Sequence, residues 1–323
     1  MTTDLSKEPP PSAPAPAPPA KPVVQRGDRI FSGLATGSGS LILLVLAAVA
    51  AFLLIQAAPA LVAPAEDIPG DGGLVVYIWP LVFGTLLSAF IALLVATPLA
   101  VAVALFITHF APRRLSQGLG YLIDLLAAVP SIVYGLWGIA VLAPATVPMM
   151  TWLQDNLGFI PLFAGPVSST GRTMLVVGLV LAVMILPIIT SVSREVFLQT
   201  PKLHEEAALA LGATRWEMIR MAVLPFGRSG IISGSMLGLG RALGETMAVA
   251  IVLSVSGVVS FNLISSSNPA TIAANIALEF PESTGIEVNT LIASGLALFL
   301  ITLAVNSLAR YIINRRRDFS GAN

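Results

Sequence analysis

Six long apolar stretches dominate the pattern of hydrophobic and polar positions along the chain. A helix needs about 20 apolar residues to cross the hydrocarbon layer of a membrane, and each stretch is long enough. Charged residues gather between them, so the pattern predicts an all-α membrane protein with six transmembrane helices. The predicted spans are roughly residues 39 to 62, 80 to 108, 119 to 144, 173 to 193, 229 to 257 and 288 to 312.

The composition supports a membrane protein. Hydrophobic residues make up 56% of the 323 residues and charged residues 11%, whereas soluble globular proteins average roughly 45–50% and 25%. The mean hydropathy of the chain is +0.89. Because the number of predicted spans is even, both termini are expected on the same side of the membrane.

The basic residues predict which side that is. Fifteen of the 17 Lys and Arg residues lie in the N-terminal tail, the loops after spans two and four, and the C-terminal end. The opposite loops contain only one basic residue, Arg172, but seven of the 17 acidic residues. Since basic residues are retained in the cytoplasm, both termini are predicted to be cytoplasmic.

The two ends of the chain are predicted to lie outside the membrane domain, which covers residues 30 to 315. Eight prolines between residues 9 and 22 favour extended backbone over packed structure. Residues 1 to 29 are therefore predicted to be a disordered cytoplasmic tail, and residues 316 to 323 a short cytoplasmic one.

Several kinds of chemistry are not expected of this chain. It has no cysteine, and its two histidines, His109 and His204, are far apart in sequence, which argues against a metal site. The formal net charge is zero, so nucleic acid is not an expected partner. No lysine follows a glycine-rich phosphate-binding loop. We therefore expect no enzymatic activity, no cofactor and no nucleotide site in this chain.

The long charged segment between predicted spans four and five, residues 194 to 228, is predicted to form two short cytoplasmic helices joined by a break. Thr200 is predicted to cap the first helix, with Pro201 at its first position. Gly212 is predicted to end that helix in a left-handed conformation.

The second short helix is predicted to begin with a capping box formed by Thr214 and Glu217 and to end at Pro225. The alanines of the first helix offer a thin surface that suits docking into a groove of another protein. A solvated connector is the alternative interpretation.

This segment resembles the permease family of ABC importers, whose signature is Glu-Ala-Ala, three residues, Gly, nine residues, Ile, one residue, Leu-Pro. The departure is Ala222 at the isoleucine position. The resemblance implies the type I ABC importer permease fold. It also implies that the matching residues couple the permease to a separate ATPase subunit. They are Glu206, Ala207, Ala208, Gly212, Leu224 and Pro225.

Predicted span five carries glycines at helical spacing and two charged residues. Gly230, Gly234 and Gly238 share a ridge that favours close helix packing, with a substrate-lining role as the alternative. Arg241 and Glu245 follow at depths of about 18 and 24 Å in a hydrocarbon core about 30 Å thick. Charges at such depth are costly, so they are expected to face the interior and to partner each other or a substrate.

The sequence GRALGETMAV at 240 to 249, with AAVPSIVYGLWG at 127 to 138, resembles the phosphate-specific transport permeases, and the PstC type more than the PstA type. The resemblance covers roughly residues 30 to 315. It implies a bacterial inner-membrane subunit that works with a PstA-like permease, two PstB-like ATPase subunits and an extracytoplasmic PstS-like phosphate-binding protein.

The two buried charges suit phosphate as the substrate. The guanidinium of Arg241 offers a planar fork of donors to an oxyanion. Phosphate near neutral pH still carries a P–OH group, and Glu245 could accept a hydrogen bond from it. Fully ionised sulfate has no such hydrogen. Three alternatives stay open: a structural ion pair between the two residues, another oxyanion such as sulfate, molybdate or a phosphonate, and an ion-coupled secondary transporter.

Overall fold

The computed structural model describes residues 26 to 70 and 72 to 315, so the proline-rich stretch and the predicted C-terminal tail lie outside it. The described residues are mostly helical and contain no strand, apart from one isolated bridge between Val255 and Asn268. Their α-helices are α1 Arg26–Val62, α2 Gly73–Leu105, α3 Arg113–Ala127, α4 Ser131–Trp137, α5 Ala143–Leu157, α6 Met174–Leu198, α7 Lys202–Ala210, α8 Arg215–Met218, α9 Leu224–Leu243, α10 Met247–Val252, α11 Ile272–Glu279 and α12 Ile286–Arg315.

Several of these helices join into longer ones. π-Helical turns extend α2 to Phe110, connect α4 with α5, and connect α8 with α9. Within the described part of the chain, five helical stretches are long and apolar enough to cross a membrane, at 27–62, 73–110, 131–157, 174–198 and 286–311.

The chain divides into two compact units, residues 1 to 50 and residues 51 to 323. The described part of the first unit, residues 26 to 50, is helical. The second unit contains the end of α1, all the other helices and every site discussed below.

Helix α6 is the centre of the second unit. It begins at Thr173, whose hydroxyl accepts a hydrogen bond from the Val176 N–H at 3.3 Å and so caps the helix. An almost uninterrupted aliphatic sequence follows, and Val177, Leu181 and Ile185 are fully buried in the main core. This continuous apolar character lets α6 pack against α2, α9 and α10 at once.

The predicted glycine ridge packs against α6, which confirms close helix packing. A Cβ atom added at Gly230 would lie 2.3 Å from Cγ2 of Val196, and one at Gly238 would lie 3.1 Å from the side chain of Ile189. Gly234 meets α6 between these points. The absent side chains therefore allow the backbones of α6 and α9 to approach closely.

The stretch predicted as one span over residues 119 to 144 is not one helix. Helix α3 ends at Ala127, and the apolar helix begins at Ser131 and continues to Leu157. Pro130 causes this break, because proline lacks an N–H and disfavours helical backbone in the residue before it. Hydropathy averaged along the sequence does not register a single proline. The predicted span, 119 to 144, therefore began and ended too early along the chain.

The stretch predicted over residues 229 to 257 is also interrupted. Helix α9 ends at Leu243, residues 244 to 246 are not helical, and α10 covers only Met247–Val252. From Leu253 the chain is extended and returns to α11 through a loop. Helix α9 thus ends two residues after Arg241, and the interruption contains Glu245.

Candidate coupling loop and translocation site

The first cytoplasmic helix begins differently from the prediction. Pro201 is the residue before α7, and the side chain of Thr200 makes no capping bond. The Thr200 hydroxyl is buried and has no hydrogen-bond partner among the described residues. The predicted Thr200 cap is therefore wrong: the chain turns at Pro201, whose φ of −61° and ψ of 121° carry the backbone into the helix one residue later.

Gly212 ends α7 as predicted. Its φ of +87° lies in the left-handed region, where a side chain is strained. The N–H of Gly212 donates to the carbonyl of Leu209 at 3.0 Å, and the N–H of Ala213 donates to that of Ala208 at 3.1 Å. These two bonds form a Schellman motif, which fixes the direction in which the chain leaves the helix.

The predicted capping box at the start of α8 is also confirmed. The Thr214 hydroxyl oxygen accepts from the Glu217 N–H at 3.3 Å, and the Thr214 N–H donates to the Glu217 carboxylate at 2.8 Å. The Thr214 N–H lowers the pKa of Glu217 below its usual value, and so does the Thr214 hydroxyl, which also donates to the carboxylate at 2.8 Å. The stabilising contribution of this carboxylate is therefore present at neutral pH and is lost as the pH falls through the lowered pKa.

Pro225 does not end the second helix, so that prediction is wrong. Helix α8 passes through a π-helical turn at Ile219–Val223 directly into α9, and Pro225 lies in the first turn of α9. The carbonyl that an N–H at position 225 would normally reach lies in the π-helical turn, where the regular hydrogen-bond pattern is already interrupted. Residues 202 to 225, called the coupling segment below, therefore lead directly into α9.

The segment has an anchored face and a free face. Ala208 and Leu224 pack against a small core at the ends of α2 and α6, formed by Ala104, Leu105, Phe197, Met218, Ile219 and Val223. Glu206, Ala207 and Gly212 are exposed. Leu203 is 73% exposed and Leu211 is 90% exposed, so the free face presents large apolar side chains beside the Glu-Ala-Ala sequence.

Arg241 and Glu245 do not share a helical face. Arg241 lies in the last turn of α9, whereas Glu245 lies in the break after it. Glu245 is only 7% exposed, and its Oε1 accepts a hydrogen bond from the Ala248 N–H at 3.1 Å. The carboxylate therefore satisfies a free N–H group at the start of α10, which explains why a glutamate stands at the break.

Arg241 has no acidic partner among the described residues. Neither Glu245 nor any other described carboxylate lies within 4.0 Å of its nitrogens, so the ion pair between Arg241 and Glu245, one of the alternatives left open by the sequence, is absent. Its Nε is buried and forms no hydrogen bond with another described residue. The adjoining residues Ala242 and Leu243 belong to the main core. The guanidinium is thus a half-buried cation whose donors are free for another group.

Two residues that the sequence did not single out hold the far end of α10. Arg172 donates to the carbonyls of Ile251, Val252 and Leu253 at 3.3, 3.3 and 3.1 Å. Asn268 is fully buried; its Oδ1 accepts from the Met174 N–H, and its Nδ2 donates to three carbonyls, those of Arg172, Ser254 and Ser265. The only sequence signal was that Arg172 is the one basic residue in otherwise acidic outer loops.

The break is therefore fixed on both sides. Glu245 caps the start of α10, Arg172 caps its end, and α9 is packed closely on α6. Together these contacts leave Arg241 beside a rigid discontinuity in an apolar helix pair. An unpaired guanidinium in such surroundings can bind an oxyanion through two parallel N–H donors. The described residues contain no group of three His, Cys, Asp or Glu side chains able to hold a metal ion.

Residues 96 to 318 match the sequence family described as binding-protein-dependent transport system inner membrane component. The chain is 48% identical over 300 residues to a Mycobacterium bovis protein named phosphate transport system permease protein PstC 2, covering 89% of this chain and 92% of the relative. It is 46% identical over 314 residues to the Mycobacterium leprae protein named phosphate transport system permease protein PstC, covering 94% and 98%.

The fold is also similar to that of a solved structure. A bacterial ABC transporter involved in the import of the acidic polysaccharide alginate has a chain that matches with a TM-score of 0.50 at 15% identity. The match covers 90% of this chain and 99% of the other. At this identity the likeness concerns the fold.

Proposed function

Because the chain belongs to the family of binding-protein-dependent transport system inner membrane components, we propose that it is a PstC-type permease subunit of an ATP-driven importer of inorganic phosphate. Relatives that match nearly the whole chain carry that name, and the two sequence segments that resemble phosphate permeases lie at Pro130 and at Arg241. Family membership argues against the alternative of an ion-coupled secondary transporter.

The importer requires further subunits. The proposed partners are a homologous PstA-like permease that completes the path, two PstB-like ATPase subunits and an extracytoplasmic PstS-like phosphate-binding protein. The chain supplies no nucleotide site, so ATP hydrolysis belongs to the ATPase subunits. We propose that the protein lies in the bacterial inner membrane, with six crossings and both termini in the cytoplasm.

The coupling segment docks on the ATPase. Its free face carries Glu206 and Ala207 between exposed leucines, while Ala208 and Leu224 attach the segment to α2 and α6. Gly212 sets the angle between the two short helices. Movement of an ATPase subunit bound to this face would reach α9 directly, because the chain is helical from Arg215 through Pro225 into α9.

Arg241 contacts the phosphate, and the unpaired guanidinium is the observation that carries this role. An oxyanion leaving water needs charge-assisted hydrogen bonds, which a free guanidinium supplies. Glu245 follows in the break after α9, and its carboxylate accepts one backbone N–H and can accept a second donor. A protonated phosphate oxygen is such a donor, so the carboxylate favours phosphate and repels a fully ionised anion.

The test is uptake by the reconstituted four-component complex in proteoliposomes. Radiolabelled phosphate should accumulate only with ATP and the binding protein, and excess sulfate should not compete. Accumulation of sulfate, molybdate or a phosphonate in place of phosphate would assign the chain to another oxyanion importer. Uptake driven by an ion gradient without ATP would contradict the proposal as a whole.

A further inference from the structure

A buried tyrosine spans the chain break that Pro130 causes. In a continuous helix the carbonyl of Leu126 would accept the N–H of the residue four positions later, but that residue is Pro130, which has none. The Tyr134 hydroxyl donates to this carbonyl at 2.7 Å, and the Val129 N–H donates to it at 3.3 Å. Tyr134 is only 7% exposed. Its side chain therefore connects α4 to the end of α3 and fixes the geometry of the break.

The residue after this tyrosine packs on the start of α10. A Cβ atom added at Gly135 would lie 2.9 Å from Cα of Ala248, so the absent side chain lets the two backbones touch. Three residues later, a Cβ at Gly138 would lie 3.1 Å from Cγ2 of Val252. The contacts therefore advance along both helices in the same direction. Helices α4 and α10 thus run parallel, and both begin at the same level.

The two chain breaks consequently lie side by side. The break at Pro130 directly precedes α4, and the break at residues 244 to 246 directly precedes α10. Glu245 lies inside the second break, and Arg241 precedes it in the last turn of α9. The guanidinium is near enough to act electrostatically on the Tyr134 hydroxyl. A shift of α4 at the first break would therefore displace the second break and the charged residues there.

We propose that Tyr134 is a positioning residue for translocation: it fixes the Pro130 break, which keeps α4 against α10 and the guanidinium of Arg241 where the anion passes. The inference rests on the proposed contact between Arg241 and phosphate. The Tyr134 hydroxyl has one hydrogen, which the Leu126 carbonyl accepts, so it has no donor left for an oxyanion. Its effect on transport is therefore exerted through Arg241.

The coupling ratio, phosphate imported per ATP hydrolysed, tests this in the reconstituted complex. Tyr134→Phe keeps the buried ring and removes only the hydroxyl. The ratio should fall about fivefold, the effect expected of one lost hydrogen bond. ATP hydrolysis per assembled complex should persist, because the coupling segment is unchanged. Tyr121→Phe is the matched control: it removes the hydroxyl of an exposed tyrosine on α3 and should follow the wild type.

A second variant tests the contact between α4 and α10 with the tyrosine in place. Gly135→Ala places a methyl group against the backbone of Ala248, so one of the two helices must shift. The coupling ratio should fall as in Tyr134→Phe. Gly118→Ala on α3 meets nothing within 4 Å and should leave the ratio unchanged. A wild-type ratio in Gly135→Ala would show that α4 does not position α10 and would overturn the inference.

The ratio separates positioning from a purely structural role. A tyrosine that only stabilises the fold would, when replaced, lower uptake and ATP hydrolysis in the same proportion, and an unchanged ratio in Tyr134→Phe would overturn the inference. Arg241→Lys distinguishes this from failure of the proposed function. If Arg241→Lys loses uptake while Tyr134→Phe keeps its ratio, only the inference fails. Wild-type uptake by Arg241→Lys would overturn both the inference and the proposed phosphate contact.

Discussion

At the residue scale, the most informative side chains are Arg241 and Glu245, which are four positions apart in sequence but belong to different elements. The carboxylate accepts the Ala248 N–H and lies more than 4.0 Å from the nitrogens of Arg241, so it does not pair with the guanidinium. A half-buried cation without a partner is costly in an apolar helix pair. A transported anion that pairs with the guanidinium would account for this cost.

Replacement of Arg241 should separate substrate contact from simple positive charge. Arg241→Lys keeps the charge but loses the planar fork, so phosphate uptake should fall at least tenfold. Thermal unfolding should change little, because no described residue accepts a hydrogen bond from Arg241. Uptake near the wild-type rate at equal membrane abundance would remove Arg241 from the path and direct the search to the partner permease.

Replacement of Glu245 should change selectivity more than folding. Glu245→Gln retains an oxygen that can accept the Ala248 N–H, so the break should persist, while the negative charge is removed. Sulfate should then compete with phosphate for uptake, whereas no competition is expected in the wild type. Glu245→Leu is the matched variant without an acceptor, and it should unfold at a lower temperature. Unchanged discrimination in Glu245→Gln would show that the carboxylate serves the helix start alone.

Arg172 should matter for stability. Its three hydrogen bonds satisfy the carbonyls at the end of α10, and a hydrogen bond to a charged group contributes a net stabilisation of about 1.5–3 kcal/mol. Arg172→Met should therefore lower the free energy of unfolding by about 2 kcal/mol or more. Denaturant unfolding in detergent measures this loss, and Arg172→Lys, which keeps a donor, should lose less. Equal stability of all three proteins would contradict the role.

At the element scale, Gly212 allows a test of the coupling segment that does not disturb packing. Nothing lies within 4 Å of a Cβ at this position, so a substitution there strains only the backbone. Gly212→Val should cost about 1–2 kcal/mol in local backbone energy and redirect the docking helix. ATP hydrolysis stimulated by the binding protein should fall together with transport.

Gly212→Asn is the matched control, because asparagine tolerates the left-handed conformation better than other side chains. It should retain most of the coupling. Normal coupling in Gly212→Val would show that the angle at this residue is unimportant.

Two glycines of α9 predict opposite effects of the same substitution. Gly230→Ala places a methyl group against Val196, whose branched side chain has little freedom to move, so it should destabilise by about 1–3 kcal/mol. Gly240→Ala meets nothing within 4 Å and should stabilise the helix by up to about 1 kcal/mol. Thermal unfolding of the two variants measures the difference, and a shift of the same sign and size would contradict the packing of α9 on α6.

The features that sequence analysis predicted correctly are local ones. Gly212 and the pair Thr214 and Glu217 act within a few residues of themselves, so their chemistry can be read from spacing. Pro225 was misread because the π-helical turn before it is visible only in the fold. The buried Thr200, the role of Glu245 at the start of α10 and the Asn268 network depend on which segments meet in space, and spacing does not reveal that.

At the scale of the whole molecule, α9 connects the coupling segment with the break. It has 20 residues, which corresponds to about 30 Å of helix, from the π-helical turn to the break that follows Leu243. Glycines hold it against α6 along this length, so it can move as a rigid body with α6 and transmit displacement without bending. The two candidate sites are thus the two ends of one packed helix.

The membrane topology gives a prediction for the complete chain. The chain has no cysteine, so a single cysteine introduced at a chosen position reports its own accessibility. Gly72→Cys and Thr284→Cys lie in acidic connections that follow α1 and α11, and they should react with a membrane-impermeant thiol reagent added to intact cells. Lys202→Cys lies at the exposed start of α7 and should react only after the membrane is opened.

Because fifteen basic residues flank the predicted cytoplasmic ends and one lies opposite, retention of the basic loops in the cytoplasm predicts this labelling pattern. Labelling of Lys202→Cys from outside would reverse the orientation and would place the coupling segment where no ATPase could bind it.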